Sequence, residues 1–394
     1  MASSFLLSCL DALILALKHD NHHRYLTRIL VCCILLRALS KNIIALKCVE
    51  NIVKRLTLEE IAKLAGVSRA TVSRVVNNYP HIKPDVRERV QQIIAQTGFQ
   101  PNLIARSLAS DRSGIIGLII PNNPRMVFTD PFFPTLIHGI TQAINRRNLT
   151  LSLFLFHSKE EETRTIHSIL NTGLIDGLII TADRKEESFV PHFMQRGMPF
   201  VLIGRPESKQ DDITYVDTDN IAGGFAATEH LICLGYRRIA VVSSAMNTAG
   251  DDRLLGYKKA LEAYGIPLVP ELITFGDFSM QSGYEAFKSI LEHRPDAVFV
   301  ASDTMALGVV RAAREVNLHV PEDLAVVGFD DLPPALQTHP ALTTFQHPIE
   351  QLGVIAVDLL SELLTDQDNA PTHIILNGKL VIRESCGAKL PDRG

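Results

Sequence analysis

Arg69, Thr71, Ser73, Arg74 and Asn77 fall within nine residues of one another. Together they carry the side-chain chemistry that reads a polyanionic duplex. An arginine pairs bidentately with guanine, and hydroxyl and amide groups bond phosphate oxygens or base edges. Ala70 adds only apolar contact, of the kind a thymine methyl accepts. A second set lies far downstream: Phe132, Phe133, Arg205, Arg253, Ser302 and Asp330. Most of these follow a short apolar run. Aromatic faces and planar charged groups are what a small, hydroxyl-rich ligand requires of a pocket.

The elements that would hold the first set are legible. Thr57-Leu58-Glu59-Glu60 has the capping-box pattern, with Thr57 as N-cap and Glu60 at the third helical position. Leu58, Ile61, Ala62, Leu64 and Ala65 then follow helical spacing. Gly66 permits a tight turn, Val67 plugs the core beneath it, and Ser68 caps a second helix running Arg69–Asn77. Val72 and Val75 face the core on that helix. Two short helices around a glycine turn form a helix-turn-helix, whose second helix lies in the major groove. An ordinary helical hairpin with surface arginines fits this stretch as well. Pro84-Asp85-Val86 opens a third helix, with Val86, Val90, Ile93 and Ile94 as its buried stripe and Gly98 at its end. Asn102 then caps a short helix carrying Ala105, Arg106 and Leu108.

Charge is distributed unevenly. Nine basic and five acidic residues lie between Arg55 and Arg112, and seven basic and three acidic precede them. The remainder of the chain carries 23 basic and 35 acidic residues. A basic head on an acidic body points to a polyanionic partner for the head alone. Chance asymmetry between two domains is the plainer alternative.

Thr57–Asn77, Phe99-Gln100-Pro101-Asn102 and Ala105-Arg106-Ser107-Leu108 resemble the lactose-repressor (LacI/GalR) family. The likeness extends over roughly residues 56–388. It implies a hinge helix that orders on operator DNA, with the two hinges of a dimer entering the minor groove. Leu108 is then the wedge that parts a base step, and Ala105 faces the partner hinge. Such a wedge trades unstacking for a bent, better-wrapped duplex; packing of Leu108 on the body is the alternative. The implied DNA-contact set is Thr57, Ser68, Arg69, Ala70, Thr71, Ser73, Arg74, Asn77, Asn102, Ala105, Arg106 and Leu108.

After Ser113-Gly114 the chain alternates. Ile115–Ile120, Leu149–Phe156, Leu178–Ile180, Phe200–Ile203, Ile239–Val242, Ala297–Val300 and Leu324–Val327 read as buried strands. Helical stretches fall at Leu136–Ile144, Thr163–Leu170, Ala222–Leu234, Leu254–Tyr264, Tyr284–Leu291 and Met305–Val316. This is the pattern of parallel sheets covered by helices, and the length favours two lobes over one. The expected fold is therefore an all-α helix-turn-helix domain joined to an α/β, doubly wound, periplasmic-binding-protein-like body. Residues 1–54 are read as an atypical extension outside the native protein, whose coding start would lie near Val53. The helix-turn-helix is placed at 55–101, hinge and linker at 102–112, the effector and dimer body at 113–388, and a tail at 389–394.

Ligands of such folds sit beyond the carboxyl ends of strands. By resemblance one of Phe132 and Phe133 stacks on the ligand while the other belongs to the core. Arg253 is the ligand-gripping arginine, and Asp330 accepts from sugar hydroxyls. Ser302 stands where asparagine is frequent, which implies a shorter reach. Arg205 ends the fourth strand; it and Arg253 could instead form salt bridges. One of Asp330 and Asp331 is expected to cap a turn, and Pro121–Thr129 is expected as a long loop. Tyr215–Asn220 is read as a lobe crossover and helix cap. His138, His230 and His347 are read as ordinary surface or core residues.

Several functions are disfavoured. Neither apolar stretch of the first 54 residues reaches the length of a membrane span, and a secretory signal's basic start and cleavage site are missing. No cysteine pair has metal or redox spacing, so a cytoplasmic setting is expected. Phosphate-loop, nucleophile-elbow and zinc-protease motifs are missing, so neither enzyme activity nor a cofactor is expected. The reading is a DNA-binding transcription regulator, with repression expected, that pairs as a homodimer, a tetramer being the alternative, and responds to a sugar-like effector. Subunit contacts are expected from the helices near Leu136–Ile144 and Ala222–Leu234. A sugar-binding protein without DNA affinity is the alternative that the body alone would fit.

Overall fold

The computed structural model describes residues 56–76, 79–99, 112–121, 124–181, 190–208, 210–366 and 370–389. Asn77, Asn102, Ala105, Arg106 and Leu108, and the extension 1–54, lie outside the described residues. The chain divides into two compact units, Met1–Ala105 and Arg106–Gly394.

In the first unit, α1 spans Leu58–Ala65, α2 Arg69–Val76 and α3 Pro84–Thr97. The capping box is formed as the sequence specifies. The Glu60 amide donates to Thr57 Oγ1 at 3.3 Å, and the Thr57 amide donates to Glu60 Oε2 at 2.7 Å. Gly66 turns the chain at φ 63°, a conformation that costs glycine nothing. The Thr71 amide donates to Ser68 Oγ at 3.2 Å, starting α2. Ile61, Ala65, Val72, Val75, Val90 and Phe99 make the core, with Val67 packed against it. Leu64, expected on the buried stripe, is 58% exposed: Ile61, Ala62 and Ala65 already fill that face of so short a helix.

The second unit holds two sheets. The first comprises β1 (Ile115–Ile119), β2 (Thr150–Phe154), β3 (Gly177–Thr181), β4 (Phe200–Ile203), β5 (Tyr215–Thr218) and β11 (His373–Leu376). Their order is β11-β5-β4-β3-β1-β2, all parallel. The second comprises β6 (Ile239–Ser244), β7 (Ile273–Gly276), β8 (Ala297–Val300), β9 (Ala325–Asp330), β10 (Thr343–Gln346) and β12 (Lys379–Val381). Their order is β12-β10-β9-β8-β6-β7, with only β12 antiparallel.

Each sheet is flanked by helices. α4 (Pro124–Thr129), α5 (Phe132–Arg146), α6 (Lys159–Thr172) and α7 (Val190–Gln195) belong to the first lobe. α8 (Asn220–Cys233), α9 (Thr248–Ala263), α10 (Met280–Ile290), α11 (Asp303–Glu315) and α12 (Pro334–Gln337) belong to the second. α13 (Ile349–Thr365) returns to pack on the first lobe. The chain thus crosses between lobes at Asp219, at His347-Pro348 and at Asn377-Gly378. Pro121–Thr129, expected as loop, carries α4 in its second half. Of the strands, β5, β7, β10, β11 and β12 were not expected. They are three or four residues long; threonines, Asp217 and Gln346 interrupt β5, β7 and β10, and β11 and β12 hold only three and two apolar residues.

Candidate functional site

On α2 the side chains divide as spacing dictates. Val72 and Val75 are buried, whereas Arg69, Ala70 and Arg74 are exposed and Thr71 and Ser73 half-buried. Ser68 and Thr71 share a hydroxyl bond of 2.9 Å. Arg69 Nε lies 2.9 Å from Glu59 Oε1 in a solvent-exposed ion pair. Such a pair is worth about 0–1 kcal/mol, so it holds Arg69 only weakly. The result is a short helix presenting two guanidinium groups and an apolar methyl on its open face.

In the two-lobed unit the residues predicted from strand ends converge unequally. Arg253 lies in the second turn of α9 and is 4% exposed. Its Nε donates to Asn220 Oδ1 at 2.9 Å, and its Nη1 donates to the Ala301 carbonyl at 2.5 Å. The same nitrogen is 3.6 Å from Asp330 Oδ1, and the guanidinium sits 3.7 Å from the Phe329 ring centroid. Burial works against its charge, and the carboxylates of Asp330, Asp217, Asp303 and Asp130, in that order, support it.

Asp330 ends β9 at φ 118°, and Asp331 follows at φ 58°. Non-glycine residues seldom occupy that region, so the turn is strained. What offsets the strain is visible. Asp331 accepts from Arg383 Nη2 at 2.5 Å and from Gln346 Nε2 at 3.0 Å. Asp330 faces both Arg253 and His347 Nδ1, the latter at 3.3 Å. One of the two was expected to cap a turn; the bonds of both carboxylates run to side chains instead. The cap in this region belongs to Asp303, which receives the Leu332 amide at 2.9 Å and Thr344 Oγ1 at 2.6 Å. Burial, then the charge of Asp330, hold the Asp303 carboxyl well above the usual range.

Phe132 and Phe133 behave as a divided pair. Phe133 is 6% exposed and belongs to the first-lobe core. Phe132 meets it edge-on at 5.2 Å and also approaches the His347 ring at 5.8 Å. Ser302 caps α11, accepting from the Met305 amide at 3.2 Å, and is 3% exposed. Arg205 is not brought to Arg253. Its Nε and Nη2 grip Asp252 at 3.2 and 2.6 Å, while its carbonyl accepts from Thr248 Oγ1 at 2.7 Å. Because Asp252 and Thr248 belong to the second lobe, Arg205 ties the two lobes together.

Two contributors escaped sequence reasoning. His347, taken there as an ordinary histidine, is 8% exposed and sits between Phe132, Phe329 and Asp330. Asp217 is buried beneath Arg205 and accepts from the amides of Arg205 and Thr218 and from Asn220 Nδ2. Burial pushes its carboxyl up to about 6. A shared signal existed: both lie at or just past the end of a parallel strand. Among the described residues, three buried polar side-chain atoms have no hydrogen-bond partner: Thr181 Oγ1, Thr218 Oγ1 and His347 Nε2. Thr181 ends β3, Thr218 ends β5 and His347 follows β10. Buried polar groups are normally satisfied, and all three exceptions lie at the carboxyl ends of parallel strands, two in the first sheet and one in the second.

Comparison with known proteins agrees with both units. Residues 57–102 match the family described as "Bacterial regulatory proteins, lacI family", and residues 228–386 match "Periplasmic binding protein-like domain". The chain is 36% identical over 336 residues to the HTH-type transcriptional regulator CelR of Thermobifida fusca, covering 84% of this chain and 98% of that one. Catabolite control protein A of Priestia megaterium is 33% identical over 338 residues, at the same two coverages. The HTH-type transcriptional repressor PurR of Edwardsiella ictaluri is 31% identical, covering 84% and 96%. Among solved structures, a complex of the transcriptional regulator CelR with cellobiose superposes with a TM-score of 0.68 at 35% identity, over 84% of this chain and all of that one. The lac repressor dimer bound to operator and the anti-inducer ONPF gives 0.75 at 27% identity, over 85% and 100%. The chain belongs to the lacI family of bacterial regulatory proteins.

Proposed function

We propose that this regulator is a homodimeric cytoplasmic repressor that grips a two-fold operator and changes its grip when a small saccharide enters the cleft of its body. The partition into a reading head at 55–101, a hinge at 102–112 and an effector body at 113–388 belongs to the same reading. The observation that carries it is the buried Arg253–Asp330 pair, set against aromatic rings where the lobes cross. That pair supplies a donor and an acceptor side by side, which a ring carrying adjacent hydroxyls matches. Phe132 offers the aromatic face, with Phe133 and Ser302 supporting the walls and Arg205 holding the lobes. α2, with Arg69, Ala70, Thr71, Ser73 and Arg74, is the DNA-reading surface, flanked by Thr57, Ser68 and Asn77. Asn102, Ala105, Arg106 and Leu108 form the hinge contacts. No helix among the described residues is long and apolar enough to cross a membrane. Relatives of this chain are named as transcription regulators, and no catalytic role is assigned to it.

The relative solved with cellobiose makes that disaccharide the first effector to try. Thermal unfolding of the full chain is measured against cellobiose, lactose, maltose, ribose and guanine. A ligand that binds only the folded protein raises the midpoint, with about 2.7 kcal/mol of stabilisation at one hundred times its Kd. A rise with one of the sugars is expected. A rise with guanine alone would overturn the saccharide reading.

A further inference from the structure

We propose that His347 is a specificity-determining residue of the effector cleft, its Nε2 accepting a hydrogen bond from a hydroxyl of the bound saccharide. The proposal rests on the saccharide reading above and adds to it a required donor on the ligand.

The geometry fixes which nitrogen does what. His347 Nδ1 faces Asp330 Oδ1 at 3.3 Å. A carboxylate only accepts, so Nδ1 carries the hydrogen and the neutral ring is left with a lone pair on Nε2. That atom is buried and, among the described residues, has no partner. The ring cannot readily swing to find one. Phe132 lies 5.8 Å away from the first lobe, and Phe329 lies 5.9 Å away, edge-on, from β9. An acceptor buried without a donor is costly, and a ligand group that donates to it removes the cost.

The neighbours divide the remaining roles. The charged groups facing His347 are Asp330, at the end of β9, and Arg253, from α9. Asp303 of α11 stands behind Asp330 and interacts with it. Arg253 donates, Asp330 accepts and His347 Nε2 accepts. A sugar therefore meets one donor and two acceptors within a few ångströms, which selects the position of its hydroxyls. Burial and the charge of Arg253 hold His347 below the ordinary histidine value, and Asp330 opposes them. The ring is neutral at pH 7 and remains an acceptor. As pH falls through its lowered value, Nε2 gains a hydrogen and turns from acceptor to donor. The crossover position adds leverage, because His347-Pro348 is one of the segments joining the lobes.

The test uses the full chain labelled with ¹⁵N-histidine and titrated calorimetrically with cellobiose, lactose and maltose. Wild type, His347→Gln and His347→Leu are compared at pH 8, at pH 7 and in steps downward from pH 6.5. Glutamine can donate to Asp330 and still present an oxygen; leucine can do neither. The expected result begins with a His347 signal showing hydrogen on Nδ1 and an Nε2 resonance that moves on sugar binding. His347→Leu then weakens binding about tenfold and His347→Gln recovers most of it. Wild-type affinity holds between pH 8 and 7 and drops only as pH falls through the lowered His347 value, below 6.5, a drop absent in His347→Gln. If a sugar binds wild type and both variants equally and the Nε2 resonance stays fixed, the role of His347 is refuted while the saccharide reading stands. If no sugar binds wild type, the reading itself fails and the proposal falls with it. Should His347→Leu not fold, the pH profile and the wild-type resonance decide the matter.

Discussion

Asp217 shows what a single buried carboxyl does to the whole. It receives three hydrogen bonds, yet burial outweighs them and lifts its ionisation from 3.8 to about 6. The folded state therefore holds this proton more tightly than the unfolded chain does. Its stabilising contribution is complete below pH 3.8 and is lost as pH rises through about 6. A rise of that size corresponds to roughly 3 kcal/mol between the two limits. Asp217→Asn removes the titration while keeping one acceptor oxygen for Thr218 and Asn220. Denaturant unfolding between pH 4 and 7 should show wild type losing stability relative to the variant across this window. Parallel curves would mean that Asp217 is ionised throughout.

How much of this was legible at the residue scale depended on whether the signal was local. Thr57 with Glu60, and Ser68 with Thr71, announce their caps within four residues, and the structure contains them. Arg253 and Asp330 were identified through resemblance. The rival salt-bridge reading of Arg253 is also present, since it neighbours Asp330. For Arg205 the salt bridge describes its side chain, because Asp252 is 47 positions away and only the closing of two lobes brings it near. His347 stayed hidden for the same reason. Its partners come from two elements distant in sequence, Phe132 from α5 and Phe329 with Asp330 from β9.

At the scale of elements, the helix pairs are set by glycines that let backbones touch. A Cβ on Gly224 of α8 would stand 2.2 Å from the Arg253 carbonyl, and one on Gly256 of α9 would stand 2.2 Å from that of Ile221. The same device joins α5 to α13 through Gly139 and Gly353, and α10 to α11 through Gly283 and Gly308. The α8–α9 pair matters most, because the backbone it presses against is that of Arg253. Gly224→Ala forces the helices apart and is expected to cost about 1–3 kcal/mol. It should also weaken cellobiose binding through the displaced guanidinium. Calorimetry beside thermal unfolding checks this; a lower melting point with unaltered affinity would break the link between helix contact and site. Sequence periodicity found α8 and α9 but not α13, the 17-residue helix that returns to the first lobe. It also missed β5 and β10, whose Asp217, Thr218, Thr343, Thr344 and Gln346 interrupt the apolar pattern. Asp217, Thr344 and Gln346 are bonded to Asn220, Asp303 and Asp331 around Arg253 and Asp330, so the site itself obscured the strands that carry it.

For the whole molecule, the central claim is that a basic head and an acidic, ligand-clamping body work as one linked device. A ligand shifts DNA affinity only by preferring one of two states. Neutralising phosphates releases counterions, so binding must weaken steeply with salt. The most direct measurement is fluorescence anisotropy of the full chain with duplex fragments from beside its own gene, across a salt series, with and without cellobiose. The account predicts sequence-selective, salt-sensitive binding that the sugar alters. Arg74→Ala should lose about tenfold or more of the selective affinity, and Arg253→Ala should keep DNA binding but lose the response to sugar. Binding that ignores sequence and salt, or that stays the same at saturating sugar, would contradict it.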